Sequence, residues 1–345
     1  MQKPNIRALL PEELEALMKE MGEQAFRAKQ IFHWTQRGAR SFDEMTNLSG
    51  ALRQKLEERF SLTAPQVLEK LESADGTIKY LWELSDGNTI ETVLMRYHHG
   101  NTICISTQVG CRMGCTFCAS TIGGLVRNLD AGEMLEEILF TELDAGVKIS
   151  NIVLMGIGEP LDNFEQVLRF LKLVNHPDGL HIGMRHITLS TCGLIEEIDK
   201  LACNHLQLTL SISLHAPDDE TRNRLMPISR RSSVRELLEA AERYYKQTGR
   251  RVSFEYAMVD GVNDTPEHAK LLAKQMREIG GHVNLIPLNP IAERSLGPSV
   301  KKKLDTFENI LRQTGVNVTT RRSLGGDIDA SCGQLRRRKE REGSA

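Results

Sequence analysis

The chain has 345 residues, of which 40% are hydrophobic and 26% are charged, and its formal net charge at pH 7 is −2. These values are typical of a globular protein and exclude a global positive field that would attract nucleic acid, although local basic patches can still contact phosphate. No apolar run reaches the roughly 18 residues of a membrane-spanning helix, and the N-terminus lacks the apolar segment of a secretory signal, so we expect a cytoplasmic protein with no membrane partner.

Residues 10–60 have the apolar spacing of short helices. Pro11 and the two acids after it form a helix-start signal, and apolar residues then recur at helical intervals as far as Phe60. Basic residues between positions 26 and 37 form a candidate patch for phosphate contacts. We expect residues 1–72 to form a small helical accessory domain.

Residues 77–95 change to the alternating pattern of β-strands. The two alternating runs, 77–84 and 88–95, are separated by a turn that contains Asp86 and Gly87. Asp-Gly tolerates the positive φ that tight hairpins need. The segment 73–100 is therefore predicted to be a β-hairpin extension that connects the helical domain to the rest of the chain.

From residue 101 onward, strand-like and helical segments alternate, which predicts an α/β fold with a parallel sheet and right-handed crossovers. The strand-like runs are Thr102–Ser106, Asn151–Met155, His186–Leu189, Gln207–Leu214, Val252–Met258, Val283–Ile286 and Val316–Thr319. The helical stretches are Ala131–Leu143, Phe164–Val174, Ile195–Leu201, Val234–Lys246, Pro266–Ile279 and Val300–Arg312. About six βα units suit a partial (β/α)6 TIM-like barrel over residues 101–335, with a doubly wound open sheet as the competing topology. Residues 336–345 are predicted to be a frayed basic tail.

The cysteines are concentrated in one short loop. Their total of seven, an odd number, argues against a disulfide framework at this length. Cys111, Cys115 and Cys118 have the spacing C-x3-C-x2-C, and three thiolates on a four-iron cluster leave one iron open for chemistry. Cys104, upstream, becomes a fourth ligand only if it bends back. A structural zinc site is the alternative, but it normally uses four ligands, often from paired knuckles, and no second knuckle occurs.

Other unusual residues follow the later strands, at the edge where parallel α/β folds bind ligands. They are Gly156–Pro160, Ser190–Gly193, Ser213–His215 and Pro287–Pro290. Taken singly, each is more typical of a turn or of a hydrogen bond at a strand end than of a ligand contact. Their convergence with the cysteine loop favours one common site.

Together these motifs resemble the radical S-adenosylmethionine (SAM) superfamily and, within it, the RlmN/Cfr family of RNA methyltransferases. The segments that carry the resemblance are Gln108–Cys111, Met155–Leu161, Leu189–Thr191, Ser213–Pro217, Met226–Ile228 and Asp327–Leu335. It runs over nearly the whole chain and implies a radical SAM barrel, a [4Fe–4S] cluster on Cys111, Cys115 and Cys118, and an N-terminal domain that contacts RNA. The implied SAM contacts are Gly158, Glu159, Ser190, Ser213, Leu214, His215 and Asn289.

The resemblance also implies a mechanism, because members of this family methylate an adenine carbon in RNA with two SAM molecules per turnover. By position, Cys332 resembles the cysteine that receives a methyl group and then links to the adenine. Cys104 resembles the cysteine that resolves this link and leaves a disulfide, and Glu91 resembles the proton acceptor at the adenine carbon. Without the resemblance, Cys332 is more typical of an inert thiol and Glu91 of a solvated carboxylate.

Two branches of the family methylate different adenine carbons. Pro160 after Gly-Glu is as in the RlmN type, which methylates C2, whereas Cfr-type enzymes methylate C8 and confer antibiotic resistance. We expect C2 methylation of 23S rRNA in the peptidyl transferase centre and of the tRNA adenosine 3′ of the anticodon, with an electron donor such as flavodoxin and a monomeric enzyme. A glycyl-radical activase and a non-catalytic iron–sulfur or zinc RNA-binding module are the competing functions.

Overall fold

A ten-stranded sheet connects the parts of the molecule, and its strands lie side by side in chain order from Gln66–Glu72 at one edge to Asn317–Thr320 at the other. The computed structural model describes residues 3–291, 293–322, 324–328 and 333–342. Neighbouring strands among the first four are antiparallel, and from the fourth strand (Gly100–Cys104) onward all neighbours are parallel. The sheet thus has two differently built regions, which meet at the fourth strand.

The N-terminal region is helical, as the sequence predicts. Its helices are α1 (Pro11–Glu20), α2 (Phe26–Gln36) and α3 (Gly50–Arg59), and short 3₁₀ turns lie at Ile6–Ala8 and Phe42–Glu44. The apolar stripes predicted from the sequence are buried in one core, which includes Leu14, Met18, Ile31, Leu52 and Leu56. Pro11 occupies the first turn of α1, where its missing N–H costs no hydrogen bond.

A buried ion pair attaches this helical region to the rest of the protein. The Arg7 Nε atom lies 3.2 Å from Glu136 Oε1, and both side chains are buried. The other guanidinium nitrogens of Arg7 donate to the carbonyl oxygens of Thr35 and Ala39 at 2.5 and 2.8 Å. Removing one partner of such a pair leaves a buried charge uncompensated, at a cost of about 3–5 kcal/mol. The accessory helices are therefore firmly docked on α4, the helix that contains Glu136.

The antiparallel region is larger than predicted. Its strands are β1 (Gln66–Glu72), β2 (Ile78–Glu83), β3 (Thr89–Tyr97) and β4 (Gly100–Cys104). The predicted hairpin is confirmed as β2 and β3, which pair across the Asp86-Gly87 turn. Strand β1 is not among the predicted elements, because its apolar side chains Val67 and Leu68 face solvent and its other residues are mostly charged.

In the parallel region, neighbouring strands of the sheet follow one another in the sequence. Every connection therefore runs in the same direction across the sheet. After β4 its strands are β7 (Ile149–Leu154), β8 (Ile187–Thr191), β9 (Thr209–Ser213), β10 (Ser253–Met258), β11 (His282–Pro287) and β12 (Asn317–Thr320). The crossover helices are α4 (Ala131–Ala145), α5 (Phe164–Asn175), α6 (Ile195–Cys203), α8 (Val234–Thr248), α9 (Pro266–Ile279) and α10 (Lys301–Gln313). A doubly wound sheet reverses its strand order, and this one does not, so the predicted partial barrel is confirmed.

Several elements were not predicted. They are the small hairpin β5 (Gln108–Gly110) and β6 (Leu125–Asn128), the helix α7 (Asp219–Leu225) and the terminal helix α11 (Gln334–Glu342). The predicted frayed tail is wrong for residues 336–342, which are helical. The basic side chains of α11 form ion pairs with Glu69 and Glu293, which lie far away in the sequence. No local pattern shows these partners.

Two further findings concern the part of the chain that the structure describes. Within it, no helix is both long enough and apolar enough to cross a membrane. None of the six cysteines that it includes is in a disulfide bond. Cys332, the seventh cysteine, lies outside the described residues.

Candidate active site

The loop with the three clustered cysteines is held in place by backbone hydrogen bonds on two sides. The Cys111 N–H donates to the Gly124 carbonyl at 3.0 Å, and the Thr116 N–H donates to the Leu225 carbonyl at 2.9 Å. Gly110 precedes the loop with φ +77°, and a Cβ there would lie 2.0 Å from the Gly124 carbonyl oxygen. Only glycine fits this approach, so the β5–β6 hairpin fixes where the cysteine loop begins.

Cys111, Cys115 and Cys118 line a common cavity of about 240 Å³, here called the cysteine-loop cavity. Five of the seven residues predicted to contact SAM line the same cavity, namely Gly158, Glu159, Ser190, Ser213 and His215. The loops after β4, β7, β8 and β9 therefore converge, as expected for the carboxyl ends of parallel strands. The Leu214 side chain instead lies in the hydrophobic core, and Asn289 lines a neighbouring cavity.

The Gly-Glu loop after β7 packs against the chain that leads into the cysteine loop. The N–H groups of Thr107 and Gln108 both donate to the Ile157 carbonyl, at 2.8 and 3.1 Å. Gly158 has φ +112°, and a Cβ on it would lie 2.7 Å from the Gln108 Cβ atom. This close approach requires glycine at position 158, because any side chain there would push the Gly-Glu loop away from the chain that leads into the cysteine loop.

Glu159 has its carboxylate inside the protein, at the wall of the cysteine-loop cavity. It is only 4% exposed, and its Oε1 and Oε2 atoms accept hydrogen bonds from the N–H groups of Leu161 and Cys192 at 3.0 and 2.7 Å. Burial raises the pKa of Glu159, while the bond from Cys192 opposes this shift. The carboxylate thus connects the loops after β7 and β8, and its oxygens are hydrogen-bond acceptors at the wall of the cavity.

His215 lies where β9 ends, and it is buried and uncharged at neutral pH. Burial, together with the nearby Arg222 guanidinium, lowers the pKa of His215 to about 3. The His215 Nδ1 atom accepts a hydrogen bond from the Ala257 N–H at 2.9 Å, and the ring packs edge-on against Phe117 with centroids 4.8 Å apart. This contact connects the strand end to the residue before Cys118.

A second cavity, here called the Cys104 cavity, adjoins the first. Cys104 lines it together with Val93 and Met95 of β3, and Phe117, Cys118 and His215 line both cavities. Leu324 and Gln334, which lie on either side of Cys332 in the sequence, also line the Cys104 cavity. The structure therefore brings Cys104 and the two flanks of the Cys332 segment to one space that adjoins the cysteine loop.

Comparison with known proteins identifies the family of this chain. Residues 105–272 match the family model described as the radical SAM superfamily, and residues 4–62 match the ribosomal RNA large subunit methyltransferase N-terminal domain. A relative from Desulforamulus reducens, named probable dual-specificity RNA methyltransferase RlmN, is 51% identical over 98% of this chain and 97% of its own. A Clostridium perfringens (strain 13) protein of the same name is 54% identical over 96% of both chains. The chain belongs to the RlmN family.

A solved structure agrees with this assignment. The crystal structure of a radical SAM methyltransferase from Sphaerobacter thermophilus superimposes with a TM-score of 0.91 at 44% identity, covering 96% of this chain and 98% of that one. The predicted family and the predicted radical SAM barrel are therefore both confirmed. Membership of the RlmN family makes this chain a SAM-dependent radical methyltransferase and implies a [4Fe–4S] cluster and an RNA substrate.

The three cysteines suit the cluster that the RlmN family implies. Burial raises the pKa of Cys111 to about 12, and it raises the pKa of Cys115 well above its ordinary value, with further contributions from the neighbouring thiolates. The apolar cavity thus disfavours the thiolate form of these cysteines, and the iron atoms of a cluster would supply the positive charge that stabilises it. Among the described residues, no three Cys, His, Asp or Glu side chains are close enough to share a single metal ion. The fit to a cluster rests on the common cavity and the short loop.

Glu91 is buried, whereas its place in an alternating strand is by itself typical of a solvated carboxylate. It lies on β3 with 3% exposure, and its Oε2 atom is 2.9 Å from Nζ of the buried Lys79. Its two carboxylate oxygens accept hydrogen bonds from the N–H groups of Gly333 and Arg336, both at 2.6 Å. Glu91 is thus bound to the chain immediately after Cys332.

Sequence reasoning missed several residues that shape the cysteine-loop cavity. Arg222 of α7 is buried, and its guanidinium donates to the carbonyl oxygens of Cys192, Ser213 and Leu214 at 2.7, 3.3 and 3.2 Å. Nothing signals this, because α7 has the composition of an exposed charged helix. Glu255 is also buried at the cavity, and a carboxylate inside the apolar strand Val252–Met258 was an available signal.

Proposed function

We propose that this RlmN-family chain methylates C2 of adenosine in RNA, and that its substrates are 23S rRNA at the peptidyl transferase centre and tRNA at the adenosine 3′ of the anticodon. The dual-specificity name of the relatives supports two RNA substrates. Pro160, which is buried after Gly-Glu, supports the RlmN type over the Cfr type and hence C2 over C8. Methylation of C8 is the alternative for the same rRNA adenosine.

The observation that carries the proposal is the junction of the two cavities. A cluster on Cys111, Cys115 and Cys118, with SAM, supplies one electron and radical chemistry when bound. Cys104 is not among the residues that line the cysteine-loop cavity, but it lies in the adjoining Cys104 cavity together with Leu324 and Gln334 from the flanks of Cys332. A simple cluster protein has no use for this arrangement, whereas a reaction that passes a carbon unit through two cysteines requires it.

In the proposed reaction the two cysteines have successive roles. The Cys332 thiolate would take a methyl group from one SAM. The S-methyl carbon would then give a hydrogen atom to the 5′-deoxyadenosyl radical formed from a second SAM and bond to the adenine carbon, and the adduct would return one electron to the cluster. After the adenine carbon has given up its proton, the Cys104 thiolate would attack the Cys332 sulfur and break its C–S bond, so that the released carbon takes up a proton to become the methyl group and the two cysteines form a disulfide that a cellular thiol reduces. The family resemblance assigns the proton to Glu91, whose carboxylate has to leave Gly333 and Arg336 to accept it.

The helical N-terminal domain, residues 1–72 in our division of the chain, is proposed to contact RNA. Phe26 is 55% exposed, and the Arg27 guanidinium lies 4.7 Å from its ring centroid. His33 and Arg37 are exposed on the same helix or directly after it. An exposed aromatic ring with cations around it suits contacts with bases and phosphates.

The remaining partners follow from the chemistry. The cluster needs an electron donor such as flavodoxin, and we propose that the enzyme works as a cytoplasmic monomer. A glycyl-radical activase has no use for Cys104 in the adjoining cavity, and an RNA-binding module without catalysis has no use for the polar residues of the cysteine-loop cavity.

Substitution of each cysteine tests the proposed reaction. Enzyme that has its cluster is given SAM and unmodified RNA, and protein and RNA are then analysed by mass spectrometry. Cys104→Ala is expected to accumulate a covalent protein–RNA adduct, and Cys332→Ala is expected to carry no methyl group and to form no adduct. Cys203→Ala, at an exposed site outside both cavities, is the matched control. Wild-type protein with no methyl group on Cys332 would refute the two-cysteine reaction.

A further inference from the structure

The chain is anchored on both sides of Cys332 by the antiparallel strands β1–β3 and the turn between β1 and β2. Upstream of Cys332, the Asp327 carboxylate accepts hydrogen bonds from the Ser73 hydroxyl and from the Ala74 N–H, the latter at 3.0 Å. The Asp75 Oδ2 atom accepts from the Gly325 N–H at 2.8 Å. These bonds connect residues separated by about 250 positions, so only the tertiary fold creates them.

Downstream of Cys332, the anchor is Glu91. Its two oxygens accept from the Gly333 and Arg336 N–H groups, which belong to the residue after Cys332 and to the first turn of α11. A carboxylate that accepts N–H donors at a helix start forms charge-assisted hydrogen bonds, which are stronger than bonds between neutral groups. Gly333 has φ +75°, and a Cβ on it would lie 2.6 Å from the Ser120 nitrogen, so the anchored chain also passes close to the cysteine loop.

Lys79 fixes the orientation of the Glu91 carboxylate. On the β2–β3 pair, Lys79 lies opposite Val93, so Lys79 and Glu91 are diagonal neighbours on one face of the sheet. Lys79 is fully buried, and its ammonium is 2.9 Å from Glu91 Oε2. The Lys79 ammonium therefore holds one carboxylate oxygen, while both oxygens accept from the chain at the start of α11.

We propose that Glu91 is a positioning residue: together with the β1–β2 turn it clamps the described chain before and after the Cys332 segment, and methyl transfer to Cys332 depends on this clamp. This inference rests on the proposed function, because it assumes that Cys332 is methylated. It differs from the proton-accepting role, since a clamp acts in the first methyl transfer, before RNA is needed, whereas a proton acceptor acts only once adenine is bound.

That difference in timing defines the test. Enzyme with its cluster is mixed with SAM and reductant without RNA, and the methyl occupancy of the peptide that contains Cys332 is followed by mass spectrometry. In Glu91→Gln the NH₂ group of the new amide faces one of the two N–H donors, and two donors cannot form a hydrogen bond with each other. We therefore expect methyl loading of Cys332 to slow at least about tenfold. Amide hydrogen exchange in the segment 333–336 should accelerate by a similar factor.

Asp144→Asn is the matched control. Asp144 accepts from Lys70 and Tyr80 of β1 and β2 at 2.5 and 2.7 Å, so it supports the same strands but does not contact the chain around Cys332. This variant should load methyl groups at the wild-type rate. Asp75→Ala removes the upstream contact with Gly325 at an exposed position, and we expect it to slow loading about threefold.

The outcomes separate the clamp from its alternatives. Wild-type loading and wild-type amide exchange in Glu91→Gln, with a protein–RNA adduct that accumulates when RNA is added, would overturn the clamp and favour the proton acceptor. If Glu91→Gln does not fold with its cluster, Asp75→Ala decides, and unchanged loading in that variant refutes the clamp. If wild-type enzyme itself carries no methyl group on Cys332, the proposed function fails instead.

Discussion

The two adjoining cavities are built in opposite ways. The walls of the cysteine-loop cavity are loops that follow consecutive parallel strands, and hydrogen bonds between neighbouring loops, such as Thr107 to Ile157, hold them together. The Cys104 cavity is lined by parts of the parallel region as well, but also by the antiparallel strands β3 and β4 and the C-terminal segment, and side chains such as Glu91 join parts of the chain more than 240 residues apart. The barrel therefore organises the first cavity by itself, whereas the second depends on contacts that one substitution can remove.

The largest effect is expected from the cysteine loop itself. Cys115→Ser should reduce the iron bound per chain at least tenfold and abolish methylation, because two thiolates do not hold a four-iron cluster. Iron and sulfide analysis of anaerobically reconstituted protein measures this change. Cys203→Ser is the control and should keep its iron, since Cys203 is exposed and lines neither cavity. A full iron content in Cys115→Ser would show that the loop is not the cluster site.

The wall of the cysteine-loop cavity should be sensitive to Arg222. In Arg222→Met the carbonyl oxygens of Cys192, Ser213 and Leu214 lose a buried donor, and we expect the free energy of unfolding to fall by about 3 kcal/mol. Urea unfolding measures the difference. Arg224→Met, on the exposed side of the same helix, should change it by less than about 0.5 kcal/mol. Equal losses in the free energy of unfolding of the two variants would show that the buried hydrogen bonds of Arg222 do not stabilise the cavity wall.

The junction of the cavities should make stability depend on pH through His215. The pKa of His215 is about 3 in the folded protein and about 6.5 when unfolded, so the unfolded state binds a proton first as the pH falls. The stability that the neutral ring contributes is complete above pH 6.5 and is lost below it, by about 2 kcal/mol between pH 7 and pH 5.

Urea unfolding of wild type and His215→Gln at pH 7 and pH 5 measures this contribution. The variant should lose less stability than wild type over this interval, and His33→Gln, exposed on α2, should behave as wild type. If the free energy of unfolding depended on pH equally in His215→Gln and in wild type, His215 would not be held in its neutral form by the fold.

The smallest effect is expected at the exposed ion pairs of α11. Glu293 contacts Arg337 and Arg341 at 3.1 and 3.6 Å, and its side chain keeps 25% exposure. Glu293→Gln should change the free energy of unfolding by less than about 1 kcal/mol and methyl loading by less than twofold. A loss of loading as large as that in Glu91→Gln would assign the clamp to surface charges instead of to the buried carboxylate.

The difference between the cavities also explains what the sequence could predict. Strand ends, glycine loops and cysteine spacing are local patterns, so the three clustered cysteines and five of the seven predicted SAM contacts could be named before the structure. Arg222 and Glu255 were missed. Leu214 lies next to His215 but faces the core, because side chains alternate along an extended chain.

The Cys104 cavity was largely beyond sequence reasoning. Strand β1 was missed because both of its faces carry charged or exposed residues, and α11 was predicted as a frayed tail because its ion-pair partners are distant in sequence. The role of Glu91 was predicted by resemblance alone, and only the structure shows that its carboxylate contacts Gly333 and Arg336. Contacts of this kind leave no periodicity in the sequence.

The most direct test of the central claim is the position of the new methyl group. Purified enzyme with its cluster is incubated with SAM, a reductant and unmodified 23S rRNA or tRNA, and the RNA is digested to nucleosides for mass spectrometry against synthetic standards. The two-cysteine reaction proposed for this RlmN-family chain predicts 2-methyladenosine from both RNAs, and none from RNA treated with Cys332→Ala. The appearance of 8-methyladenosine, or of unmodified adenosine alone with active wild-type enzyme, would contradict it.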